Sequence, residues 1–122
     1  CIASAMATLD LIEGGLMANA KKMGEYIFAK INDWPSRFKI VGDVRGKGLM
    51  IGVEIVRDQR TKEKAPDLRD KVIVGAFHRG LLTLESGENS IRISPPLIID
   101  EEQADCAIRI LEESIREAEK SL

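Results

Sequence analysis

The sequence predicts an α+β domain: a small, mostly antiparallel sheet of three to four strands covered by helices on one side. Three observations carry this. Apolar residues recur at helical spacing up to Trp34-Pro35, alternate from Phe38, and return to helical spacing after Pro95-Pro96. The polar turn Ser86-Gly87-Glu88-Asn89 joins two short strand-like runs as a hairpin. The resulting order is helix, helix, strands, helix, hairpin, helix, which is the arrangement of an α+β sandwich.

Each element has its own signal. Ile2, Met6, Leu9 and Ile12 mark an Ala-rich helix over residues 1–13, broken by Gly14-Gly15. Leu16, Ala20, Met23, Ile27, Ile31 and Trp34 form one stripe of an amphipathic helix over 14–35. Residues 38–99 hold the strands. Phe38 to Val41 is a first candidate, and Leu49 to Val56 alternates with Ile51, Val53 and Ile55 on one face. Residues 57–66 are a charged loop. Asp67 is expected to cap a helix over 67–79, with Leu68, Val72, Ala76 and Phe77 inward and Gly80 at its stop. Leu81 to Glu85 and Ser90 to Ser94 are the hairpin strands, ended by Pro95-Pro96. Asp100 and Gln103 spell a capping box for a helix over 100–120, with Ala104, Ile108, Leu111, Ile115 and Ala118 inward.

The 122 residues suit one domain, 1–122. Eighteen basic against twenty acidic residues leave a formal net charge of -2, so no global basic field for nucleic acid exists. No apolar run approaches the ~20 residues of a membrane span. Neither a nucleic-acid nor a membrane partner is expected. Two cysteines near opposite ends fit a reducing compartment, and a cytoplasmic location is expected. The chain starts at Cys1 and enters a helical pattern without a cap, so a piece of a longer protein is expected. A self-processed nucleophile or a lipidated cysteine would lead into a strand or a polar tether instead.

The chemistry-bearing residues are sparse. Gly46-Lys47-Gly48 invites a phosphate loop, but these glycines lead into a strand and match neither nucleotide fingerprint; a bent strand is the plainer reading. His78 is the only histidine and has no second ligand within helical reach, so no metal site is expected. Cys106 reads as a small buried residue. Glu54, Glu85 and Glu88 are scattered and make no catalytic pair. Arg92 differs. In Ser90-Ile91-Arg92-Ile93-Ser94 the isoleucines point to one face and the arginine to the other, a fixed guanidinium suited to bidentate capture of a carboxylate. Taken alone, a strand arginine is more often a surface charge or an ion-pair partner.

Three separated segments shift that weighting: Val44-Arg45-Gly46-Lys47-Gly48-Leu49-Met50-Ile51-Gly52-Val53-Glu54, Arg79-Gly80-Leu81-Leu82-Thr83-Leu84, and Ile91-Arg92-Ile93-Ser94-Pro95-Pro96-Leu97. In order and spacing the chain resembles the C-terminal small domain of class III, fold-type I pyridoxal-phosphate aminotransferases, the 4-aminobutyrate, ornithine and acetylornithine group. Residues 1–13 look like the family's interdomain helix. The resemblance implies a homodimeric enzyme moving an amino group from an amine or amino acid, such as 4-aminobutyrate, to a 2-oxo acid. It implies that Arg92 binds a substrate carboxylate. Gly46, Gly48 and Gly52 match family positions but are assigned to strand packing, not to cofactor contact. The family's Schiff-base lysine, its pyridine-facing aspartate and its phosphate-binding residues belong to a large domain with no counterpart here, and Lys47 is not that lysine. Pyridoxal 5'-phosphate is thus expected in the full-length enzyme only, and the 122 residues alone are expected to be inactive. Racemases and aminomutases of the same family remain open alternatives, as does a free-standing ligand-binding or dimerisation module.

Overall fold

The α+β reading holds in a computed structural model that describes residues 1–122. The elements are α1 (Ile2–Leu11), α2 (Met17–Ile31), α3 (Trp34–Arg37), β1 (Val41–Lys47), β2 (Met50–Asp58), β3 (Glu63–Lys64), α4 (Pro66–His78), β4 (Leu84–Ser86), β5 (Ser90–Ile93) and α5 (Glu101–Glu119). A widened π-type turn, Ile12–Leu16, joins α1 to α2. There Gly15 takes φ 157° and ψ -19°, a conformation that glycine alone adopts cheaply, which is why Gly14-Gly15 kinks the chain.

The sheet has five strands rather than three to four. Its order is β1-β2-β5-β4, with β3 also pairing β2, and every pairing is antiparallel. Val44, Ile51, Val53, Ile55 and Ile91 point to one face and are buried beneath α2, α4 and α5. Those side chains belong to a core cluster of 24 buried residues. No helix is long and apolar enough to cross a membrane.

Several boundaries move, each for a local reason. The helix expected over 14–35 divides, because Pro35 sits in the first turn of the one-turn helix α3 instead of ending the longer one. Consequently β1 starts at Val41, not Phe38, although Phe38 and Ile40 are buried. Helix α4 starts one residue early, with Pro66 in its first turn and Ala65 at the N-cap; Asp67 makes no cap and instead pairs with Arg57 at 2.6 Å. Phe77, expected inward, is 60% exposed. The strand expected from Leu81 begins at Leu84. Gly80, at φ 88°, ends α4 with a Schellman pair, Leu81 N–H donating to Ala76 O at 2.9 Å and Gly80 N–H to Phe77 O at 2.9 Å. Leu81 is thereby committed to the helix end.

Helix α5 follows the pattern read from the sequence. Asp100 accepts from the Gln103 N–H at 2.8 Å while the Gln103 side chain accepts from the Asp100 N–H, and all five expected inward residues are buried. Trp34, fully buried, packs edge-on against Phe38 at 6.0 Å and donates from Nε1 to Glu112 at 3.1 Å, tying α3 to α5. At the hairpin end of β5, Asn89 is buried and donates from Nδ2 to Ile55 O at 2.7 Å, while its own carbonyl accepts from Ile55 N–H at 2.7 Å. That two-way bond fixes where β5 lies on β2.

Candidate functional site: the open face of the sheet

Alternation places every second side chain of β1, β2 and β5 on the face that the helices leave uncovered. In strand register, Arg45 lies opposite Gly52, Gly52 opposite Arg92, and Arg92 opposite Leu84, forming one row across the sheet. The next row holds Asp43, Glu54, Ser90 and Ser86. Together these rows border a shallow groove whose lining also includes Met50 and Ser94.

The two arginines of the central row differ electrostatically. Arg45 is 2.9 Å from Asp43 and 3.6 Å from Glu54, with Glu54 largely covered. The hydrogen bond that Arg45 donates to Asp43 outweighs the cost of burial and, with the charge of Glu54, raises the Arg45 pKa above its ordinary value. Arg45 is therefore a neutralised cation. The guanidinium of Arg92 is exposed and takes part in none of the chain's ion pairs or side-chain hydrogen bonds; the Arg92 contact of Thr83 is with its backbone carbonyl. An uncompensated planar cation on a paired central strand can take a carboxylate through two parallel N–H···O bonds.

The remaining sequence candidates do not converge there. Gly46 faces a filled space, since a Cβ on it would lie 2.5 Å from Met50 O. Gly48 turns the β1–β2 hairpin at φ 56° and its backbone meets Gly24 of α2, so the glycine segment is packed against protein and offers no open cradle for a phosphate. Lys47 is exposed at the end of β1. Glu88 pairs with Lys64 and Glu54 with Arg45, leaving no catalytic carboxylate pair. His78 ends α4 with its ring 5.9 Å from Phe77, and no three His, Cys, Asp or Glu side chains gather as metal ligands. Cys106, read as buried, is exposed, because its position on α5 falls outside the stripe set by Ala104, Ile108 and Leu111. Gly52, assigned to strand packing, is unpacked: the nearest atom to a Cβ there would be Arg45 O, at 3.9 Å.

The sequence model of the aminotransferase class-III family matches residues 1–115. The chain belongs to the class-III aminotransferase family. Among curated relatives of this class-III chain, an alanine/serine racemase of Pyrococcus horikoshii is 43% identical over 118 residues, covering 94% of this chain and 24% of the racemase. The taurine–pyruvate aminotransferase of Rhodobacter capsulatus is 34% identical, covering 93% of this chain and 27% of that enzyme. Among solved structures, the PLP-bound amine transaminase of an uncultivated Pseudomonas species superposes with a TM-score of 0.88 at 32% identity, over 95% of this chain and 27% of that one. The class-III chain thus spans about a quarter of the length of these relatives.

Proposed function

We propose that this class-III chain is the substrate-side portion of a pyridoxal-phosphate enzyme that transfers an amino group between an amine or amino acid and a 2-oxo acid. In this reading the Arg92 guanidinium receives a substrate carboxylate. The observation that carries it is the unpaired cation itself, held on β5 by ladder bonds to β2 and β4 and by the Asn89–Ile55 clamp. A guanidinium with its backbone fixed on both sides loses little freedom on binding, and it fixes the direction in which the substrate's amino group points. Pyridoxal phosphate supplies the electron sink in such an enzyme. It would be held by residues beyond those described here, and so would the lysine and aspartate that work on it. Alone, the 122 residues hold neither and are inactive. The subunit works as a homodimer, in keeping with the family resemblance.

A second reading is favoured by the relatives that are racemases or epimerases, at 43%, 39% and 38% identity. An amino-acid racemase also requires the substrate carboxylate to be held still while the proton at the neighbouring carbon moves. Arg92 serves both reactions, and the donor's side chain, that of 4-aminobutyrate included, is read largely by contacts outside this chain. The test is Arg92→Ala in the full-length enzyme. The KM for a carboxylate-bearing substrate should rise at least tenfold with the thermal midpoint unchanged; an unchanged KM removes Arg92 from the site. Incubation with a single amino-acid enantiomer, without a 2-oxo acid, separates the two activities by whether its mirror image accumulates.

A further inference from the structure

Gly52 is a glycine that the fold itself does not require. Its φ lies outside the left-handed region, in contrast to Gly15, Gly48, Gly80 and Gly87. Nor does packing exclude a side chain, since an added Cβ would find only Arg45 O within 4 Å, at the ordinary distance of 3.9 Å. Neighbouring glycines behave otherwise: a Cβ on Gly42 would meet Val56 Cγ1 at 2.7 Å, and one on Gly46 would meet Met50 O at 2.5 Å. A glycine inside a central strand weakens the sheet and commonly marks a place where a ligand or another backbone comes close. No backbone among residues 1–122 comes closer here than Arg45 O.

We propose that Gly52 is a specificity-determining position, a bare patch of sheet kept open so that a carboxylate can lie flat beside Arg92. The proposal rests on the Arg92 reading above and adds to it the surface against which the ligand sits. Gly52 stands directly between Arg45 and Arg92 in the row. Cross-strand neighbours are about 5 Å apart, so any side chain at position 52 would rise into the space next to the guanidinium. Arg45, held by Asp43 and Glu54, closes the far side without competing for the ligand's charge. The ligand chemistry is therefore a flat, singly charged carboxylate attached to a small carbon, as in a 2-amino or 2-oxo acid. A β-branched side chain at 52 would obstruct this carboxylate and leave an amine without one unaffected.

The test uses full-length holoenzyme carrying Gly52→Val, Gly52→Ala or Arg92→Ala. Binding of an amino acid and of the amine that lacks its carboxylate is followed by titration calorimetry, and the thermal midpoint of each variant is measured. Gly52→Val should weaken amino-acid binding at least tenfold, change amine binding less than twofold, and leave the midpoint equal or higher. Gly52→Ala should fall between Gly52→Val and wild type. Wild-type amino-acid affinity in Gly52→Val, alongside a loss in Arg92→Ala, overturns the role of Gly52 and leaves Arg92 standing. Undiminished affinity in Arg92→Ala overturns both. A lowered midpoint or failure to fold in Gly52→Val would make the glycine structural and overturns the proposal.

Discussion

Replacing Gly24 by alanine should destabilise this domain, although it exchanges a poor helix former for the best one. Gly24 is buried in the interior of α2, where Gly→Ala on an exposed face would stabilise by about 1 kcal/mol. A Cβ on Gly24 would stand 2.4 Å from Gly48 O and 2.5 Å from Gly48 C, backbone atoms of the β1–β2 turn. Carbon and its non-bonded neighbours want roughly 3.5 Å or more, so α2 and the hairpin would have to part by about 1 Å. Overpacking of that kind costs about 1–3 kcal/mol, and a rigid obstacle places this case toward the upper end. The net loss is about 1–2 kcal/mol, a fall of roughly 5–10 °C in thermal midpoint for a domain of this size. Gly75→Ala is the matched control. Gly75 also lies inside a helix, but its Cβ would sit 3.4 Å from Ser114 Cβ and Arg79 Nη1, so this change should raise the midpoint by a few degrees. Both midpoints are read by far-UV circular dichroism on heating. A Gly24→Ala protein as stable as the Gly75→Ala protein would refute the close approach of α2 to the hairpin turn.

Two further outcomes concern the clamp and the charged surface. Asn89→Ala strands the buried carbonyl of Ile55 and should cost about 1–3 kcal/mol, seen as a lower urea midpoint at unchanged slope; a shift within error would show that Asn89 does not anchor β5. Asp58, Asp67, Glu88 and Asp105 are held below their ordinary carboxylate pKa, Asp58 by the backbone N–H groups of Thr61 and Arg60, the others by Arg57, Lys64 and Lys30 respectively. A carboxylate with a depressed folded-state pKa contributes stability above its unfolded pKa and loses it as pH falls through the folded value, so stability should decline below about pH 4. Asp105→Asn should flatten that decline at low salt only, since its partner is a screened ammonium, whereas Asp58→Asn should flatten it at both ionic strengths. Acid titration of the urea midpoint at two salt concentrations checks this, and a salt-independent effect of Asp105→Asn would contradict it.

Much of the scaffold was legible because its signals are local. The capping box of α5 and the stop at Gly80 each depend on residues within a few positions of one another and formed as read. The hairpin also formed, but with a loop of three residues instead of four, because Ser86 joins β4 and pairs with Ser90. What escaped was decided by partners distant in the chain. Nothing in its neighbours distinguishes Asn89 from an ordinary turn asparagine; only the arrival of Ile55 makes it a buried clamp. Asp67 has the makings of a cap, but Arg57 takes it. Gln59 reads as a loop residue, yet its amide nitrogen lies within hydrogen-bond distance of three carbonyls, Pro35 O, Phe38 O and Val41 O, which share its two N–H donors and gather the irregular path into β1. At the site, the side of the sheet on which Arg92 points follows from strand alternation. Its lack of an anionic partner, and the empty space over Gly52, required the neighbouring strands to be in place. The close approach of Gly24 to Gly48 joins residues far apart in the chain and could not be read from either neighbourhood.

The widened turn at Ile12–Leu16 leaves α1 with no buried residue, while Ile2, Met6, Leu9 and Leu11 are each more than half exposed. Ten residues are fewer than the ~12–15 that an unsupported helix needs to persist in water. The sheet and the other helices therefore contribute little to keeping α1 wound, and its amide hydrogens should exchange with solvent orders of magnitude faster than those of α5. Slow exchange along residues 2–11 would accordingly report a surface laid against them, making this segment a natural gauge of assembly that can be followed residue by residue while the core stays silent.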